Sequence, residues 1–199
     1  MAPLIMQEVT VGSSRHQVGI FGCTLTRPLL PEAIIDLTKQ IAFTPGLTFL
    51  LVDADYVAGT DHLLFATIHA FSAFNTQTNR ASTHQMEILR FAAAQRQISQ
   101  ALEILGISNS TRRLGGVLVN TKESTLESAY HKFLQLTEAT DDPAVLEVDT
   151  DKKAQAIQDN FDISAAELEA ICPSKKSAAR KQALQKLVFD RCALLAITR

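Results

Sequence analysis

The chain has 199 residues, 46% of them hydrophobic and 20% charged, with a formal net charge of −2. That is the make-up of an ordinary globular protein long enough to bury a substantial core. No apolar stretch approaches the ~20 residues that cross a bilayer, and the start lacks a basic segment leading into a long apolar run, so a cytoplasmic protein without a signal peptide is expected.

Two short strands come first, "LIMQEVTV" and "QVGIFGCTL", with a turn region at Ser13-Ser14 between them. Pro31 opens a helix through Gln40, in which Ile34, Leu37 and Ile41 are spaced to face a core. Pro45-Gly46 turns the chain into a buried strand from Phe49 to Val52. Thr60 or Asp61 then caps the helix "HLLFATIHAFSAF", with Leu64, Ile68 and Phe71 at i, i+4 and i+7. "NTQTNR" is a loop. Ser82, with Gln85 three residues later, predicts a capping box for a helix starting near Thr83.

The next stretch, "MEILRFAAAQRQISQALEILG", changes phase along its length. Met86, Leu89 and Ala93 form one stripe, but the same period continues onto Gln97 and Gln100. Ile98, Leu102 and Leu105 form a second stripe out of register with the first. A single straight helix cannot bury both. The spacing therefore predicts two helices meeting at 93–95, with Gln95, Arg96 and Gln97 at the start of the second. Gly106 is placed at its C′ position, with Ile107 folding back on Leu102 as a Schellman ending requires.

"GGVLVNT" is a further strand, followed by a helix over 124–136, and "AVLEVD" is a short strand. Asp151 caps a helix running to about Asn160, and "ISAAELEAIC" contains one more small helix. After Pro173, Ser174 caps a last long helix with Leu184, Val188 and Leu195 core-spaced and Lys175 and Lys176 near its positive end. Strands and helices interleave, so the expected class is α/β (α+β). A single domain over 1–199 is expected, a small mixed sheet packed by several helices, with 174–199 as a C-terminal helix laid on it.

Charge is unevenly distributed. Ten acids lie between Glu138 and Glu169 against Lys152 and Lys153, whereas Lys175, Lys176, Arg180, Lys181, Lys186, Arg191 and Arg199 follow with a single Asp190. Such segregation marks either two solvated faces or a surface for a partner of opposite charge.

The motifs that carry catalysis are missing: no GxGxxG, GxxxxGK[ST] or GxSxG occurs, and Gly115-Gly116 in "RLGGVLVN" precede a strand rather than open a helix. Cys23, Cys172 and Cys192 form no CxxC pair and read as small buried hydrophobes. His62 and His69 are seven apart, too far along a helix to share a metal, so neither metal nor cofactor is expected. An enzyme would have to be assembled from Asp53, Asp55, His62 and Glu87. Surface acids near a turn, a cap and a packing residue explain those four more simply.

Gln95, Arg96 and Gln97 have a different inventory. A guanidinium offers a planar fork for phosphate or a base edge, glutamines both donate and accept, and a helix N-terminus favours anions. The competing explanation is a buried network tying two helices together.

At this point "VDADYVAGTDHLLFATIHAF", "NRAST" and "MEILRFAAAQRQISQALEILGI", continued by "VLEVDTDKKAQAI" and the final helix, resemble the Cgi-type (PRPK-binding protein, TPRKB) family. Its members are the kinase-binding subunits of the KEOPS/EKC complex. The resemblance spans most of the chain from about Val18 and implies an α/β adaptor without catalysis of its own. It implies as partners the small atypical (PRPK-type) kinase and the single-stranded 3′ CCA end of tRNA, in support of threonylcarbamoyl modification of the adenosine at tRNA position thirty-seven. By position, Arg96 and Gln97 lead the tRNA-binding set, with Gln95, Asn79, Arg80 and Arg90; Arg80 is the one basic residue of a loop that often bears lysine in the family. For the kinase, the last helix is the expected face, with Leu187, Asp190 and Arg191 at its rim. A stand-alone RNA-binding module and a small cytosolic enzyme are the alternatives.

Overall fold

The computed structural model describes residues 4–42, 44–173 and 177–197. The expected Ser174 cap and the Lys175-Lys176 pair lie outside them.

Strand β1 (Ile5–Val11) and strand β2 (Ser14–Thr24) form a hairpin that closes at Val11↔Ser14, where Gly12 takes φ 60 to make the tight turn. Helix α1 (Pro31–Ala42) leads to β3 (Thr48–Asp53). A 3-10 turn at Ala54–Tyr56 precedes three helices, α2 (Thr60–Asn75), α3 (His84–Ala92) and α4 (Ile98–Leu105). Then come β4 (Arg113–Asn120), α5 (Glu123–Thr137) and β5 (Thr140–Asp141). A second 3-10 turn at Pro143–Leu146 leads into α6 (Asp151–Asn160), α7 (Ala165–Ile171) and α8 (Ser177–Ile197). Interleaved strands and a long last helix make the class α/β, as the sequence predicts.

The sheet runs β1-β2-β4-β3 with β5 on β2, and each described pairing is antiparallel rather than mixed. Helices cover both faces. Val18, Ile20, Val52, Val117 and Val119 pack with α2 and α3, while Phe21, Phe49, Leu114 and Leu118 meet Leu37 and Ile41 of α1 and Phe133 of α5. Burial on both sides explains why β3 and β4 lack an alternating pattern. Gly115 and Gly116 lie inside β4, not ahead of it. A Cβ at Gly116 would run into the Phe21 ring, which stacks tilted on Phe133 with centroids 5.1 Å apart.

A third cluster joins α6, α7 and α8 through Ile157, Phe161, Leu168, Leu184 and Val188. Here the segregated charges partly answer one another. Arg191 pairs with Glu167 at 2.7 Å, and its hydrogen bond holds that carboxyl down at about 2. Arg113 reaches both Asp55 and Asp149 at 3.1 Å, and the Lys181 ammonium donates to the Asp149 carbonyl at 3.4 Å.

Several local expectations are corrected. "AVLEVD" is a 3-10 turn, because Pro143 cannot donate to a ladder and the buried Lys153 ammonium instead gathers the Val145 and Leu146 carbonyls at 2.6 and 3.1 Å. Gly59, at φ 106, is the N-cap of α2 in place of Thr60 or Asp61. Thr83 precedes α3 with no side-chain cap, so the Ser82–Gln85 box is absent, whereas Ser164 and Glu167 make one at α7. Thr150, not Asp151, caps α6 through Lys153 N–H. In α2 the fully buried side is Leu63, Ala66 and Ala70, with Leu64 and Ile68 half-buried, because the helix lies between the sheet, α3 and α8. Cys23 and Cys192 are buried, which pushes both thiols up to about 12, and Cys172 packs half-buried against the third cluster.

Candidate functional site

Helix α3 ends where the change of phase requires it. Ala94 N–H donates to Phe91 O and Gln95 N–H to Arg90 O, both at 3.0 Å, with Ala94 at φ 51. These two bonds and the left-handed residue between them are a Schellman ending. It stands here and not at Gly106, whose φ is −67. Gly106 is glycine for another reason: a Cβ there would strike the Leu102 carbonyl oxygen.

The chain then runs extended through Gln97 into α4. Ala101 and Leu105 form the buried side of α4 and Ile98 is half-buried, while Leu102 is 48% exposed, so in the second predicted stripe Ala101 takes the place of Leu102. Ile107 packs on the cluster around α1 and α5 instead of on Leu102. Arg96 and Gln97 are exposed and Gln95 is half-buried. The junction is therefore an open surface rather than a sealed network.

It forms one wall of a cleft of about 500 Å³. The opposite wall is the α6–α7 turn, Asn160 to Asp162, with Arg191 and Leu194 of α8. Arg191 fixes that wall by donating to Phe161 O at 3.2 Å and Asp162 O at 3.0 Å. Nothing in the linear sequence joins 160–162 to 95–97, so the opposite wall was missed. A second cleft of about 580 Å³ lies between the end of α2, the Thr76–Arg80 loop and α3. Leu195 lines both clefts.

Arg80 is exposed, and Asn79 is half-buried with its amide donating to Ala81 O at 3.0 Å. Arg90 is not presented to a ligand as the sequence suggested: it is 3% exposed and paired with Glu87 at 2.6 Å. On α8, Asp190 is exposed, but Leu187 is not at a rim; it is 5% exposed inside the third cluster. Arg191 is occupied by its carbonyl and carboxylate partners.

The four groups of the enzyme alternative do not meet. Asp53 is buried, accepts from Thr111 Oγ1 at 2.6 Å and Asp55 N–H at 3.0 Å, and burial raises its pKa. Asp55 is exposed and faces Arg113, so the two acids do not share a solvent side. His62 is wholly buried, accepts from Ala58 N–H and donates to Ala92 O. Glu87 holds Arg90 and the loop before α3. Among the described residues no trio of His, Cys, Asp or Glu is placed to hold a metal ion, and no helix is long and apolar enough to cross a membrane.

Fold and site together define an α/β protein whose ionisable interior groups are tied into backbone brackets and whose candidate surface is an exposed break between helices. Residues 32–196 match the family described as kinase binding protein CGI-121, and the chain belongs to that family. Regulatory protein Cgi121 of Methanocaldococcus jannaschii is 33% identical over 111 residues, which is 56% of this chain and 68% of the relative.

Proposed function

We propose that this chain is a cytoplasmic, non-catalytic adaptor of a KEOPS complex, binding the small atypical kinase and the 3′ CCA end of tRNA to support threonylcarbamoyl-adenosine formation at position thirty-seven. Membership of a kinase-binding family supports the first partner. The observation that carries the second is the break between α3 and α4, which leaves Arg96 and Gln97 exposed beside an open cleft. Arg96 and Arg80 suit phosphates, and glutamine amides suit base edges. Such contacts are sensitive to salt: four phosphates give a log-affinity against log-salt slope of about −3 for a single strand. Of the α8 residues, Asp190 keeps the exposure a kinase contact needs.

The test is affinity purification from the native cell of the wild type and Arg96→Ala at fixed salt. The kinase is expected with both proteins and tRNA with the wild type alone. Equal tRNA recovery would make the junction structural, and absence of the kinase would remove the adaptor reading. Tight tRNA binding by the isolated chain would favour the stand-alone RNA-binding module.

A further inference from the structure

We infer that the buried Glu87–Arg90 pair is a positioning element that sets the backbones of both arginine-bearing segments, Glu87 holding the one that carries Arg80 and Arg90 the one that carries Arg96; this rests on the RNA-binding reading of those segments. The two side chains sit one helical turn apart on α3, 1% and 3% exposed, on the floor of the second cleft. Arg90 Nη1 donates to Glu87 Oε1 at 2.6 Å. Their other polar atoms leave the helix in two directions. Glu87 Oε2 accepts from Arg80 N–H at 3.2 Å and Ala81 N–H at 2.7 Å. Arg90 Nε donates to Arg96 O at 3.0 Å.

A buried ion pair is weak support for stability, since apolar side chains of equal volume often serve as well. Apolar side chains cannot hold three backbone groups from two separate loops. Each segment also has local bonds, Asn79 to Ala81 O and Gln95 N–H to Arg90 O, but α3 and α4 both begin without a side-chain cap, and the Glu87–Arg90 pair alone reaches both segments. Arginine is required at 90 because the Nη1 donor faces the carboxylate while Nε remains for Arg96 O. Lysine keeps the charge but is a single point donor on a flexible stem.

Hydrogen exchange separates this role from general packing. In Arg90→Lys the Gln95 amide, bonded to Arg90 O, is expected to exchange at least tenfold faster, with 80–81 at the wild-type rate. In Glu87→Met both segments speed up, because no acceptor remains for the 80–81 amides or for Arg90. If Arg90→Lys leaves the Gln95 amide unchanged, or loosens both segments alike, the brace is wrong. Should either single variant fail to fold, the apolar pair Glu87→Met with Arg90→Met is used, with both segments expected to loosen; wild-type exchange in it would also overturn the inference.

Binding of a single-stranded oligonucleotide ending in CCA gives the second readout. The fold-loss from Arg96→Ala is expected to shrink by at least half in the Arg90→Lys background, while that from Arg80→Ala is unchanged. Full additivity of Arg96→Ala with Arg90→Lys would show that Arg90 does not act through Arg96. Exchange needs no ligand, so loosening at Gln95 together with an oligonucleotide indifferent to Arg96→Ala would keep the brace and reject the RNA.

Discussion

His62 illustrates how much a single side chain can be misread from its type. Ala58 N–H donates to Nδ1 at 3.1 Å, which leaves Nε2 as the donor to Ala92 O at 2.8 Å. The neutral tautomer is thereby fixed, and the ring meets Phe161 edge-on with centroids 5.6 Å apart. Burial pushes its pKa down to about 4, against the hydrogen bond to Ala92 that favours the charged form. Between pH 4 and 6.5 the unfolded chain therefore binds more protons at this site than the folded one. The contribution of His62 to stability is full above pH 6.5 and is lost as pH falls through that window, by up to ~3 kcal/mol. Urea unfolding of the wild type and His62→Gln across this range is expected to show the two converging toward acid pH. A gap independent of pH would mean that the ring titrates normally.

The element scale turns on helix endings that no glycine announces. Four helices end with a residue other than glycine in the left-handed region: Gln77 after α2, Ala94 after α3, Glu138 after α5 and Asp162 after α6. Thr78 N–H to Ala73 O, Gln95 N–H to Arg90 O and Ile163 N–H to Gln158 O close the turns at Gln77, Ala94 and Asp162 at 2.8, 3.0 and 2.9 Å. Ala94 and Asp162 line the first cleft, and the neighbours of Gln77 line the second. A left-handed alanine is strained by about 1 kcal/mol, a pattern found where surrounding structure imposes a functional geometry. Ala94→Gly is therefore expected to raise the unfolding free energy by ~1 kcal/mol, read from the denaturation midpoint. A loss of stability of that size would show that Ala94 makes a packing contribution larger than its backbone strain.

At the scale of the whole molecule, α8 binds the two halves of the structure together. It closes the third cluster against α6 and α7 and also packs on α2 and α3. The acidic and basic stretches meet here through the part-buried Arg191–Glu167 pair, which contributes little beside the apolar contact. Leu184, 2% exposed, is the test position. Leu184→Ala is expected to lower stability by about 2 to 5 kcal/mol. We expect one cooperative transition, with far-UV circular dichroism and tyrosine fluorescence coincident. A separate early transition in Leu184→Ala would make α6–α8 an independently folding unit.

The main strands and helices, the burial of β3 and the break near Ala93 were legible in local hydrophobic pattern, whereas the strand expected over "AVLEVD" is a 3-10 turn and β5 was not foreseen. A change of hydrophobic phase cannot be accommodated on one straight helix, so the bend followed from the sequence alone, and the exposure of Arg96 and Gln97 agreed with it. Tertiary structure decided the rest. Leu187 and Leu102 exchanged their expected environments because burial depends on what lies opposite a helix face, and that is set by contacts distant in sequence. Arg90 changed from candidate ligand to brace because Glu87 lies one turn away and the Arg96 carbonyl within reach of Nε. The left-handed backbone at Gln77, Ala94 and Asp162, as distinct from the place where each helix ends, was invisible because backbone strain in those turns is imposed by packing and carries no residue signal of its own.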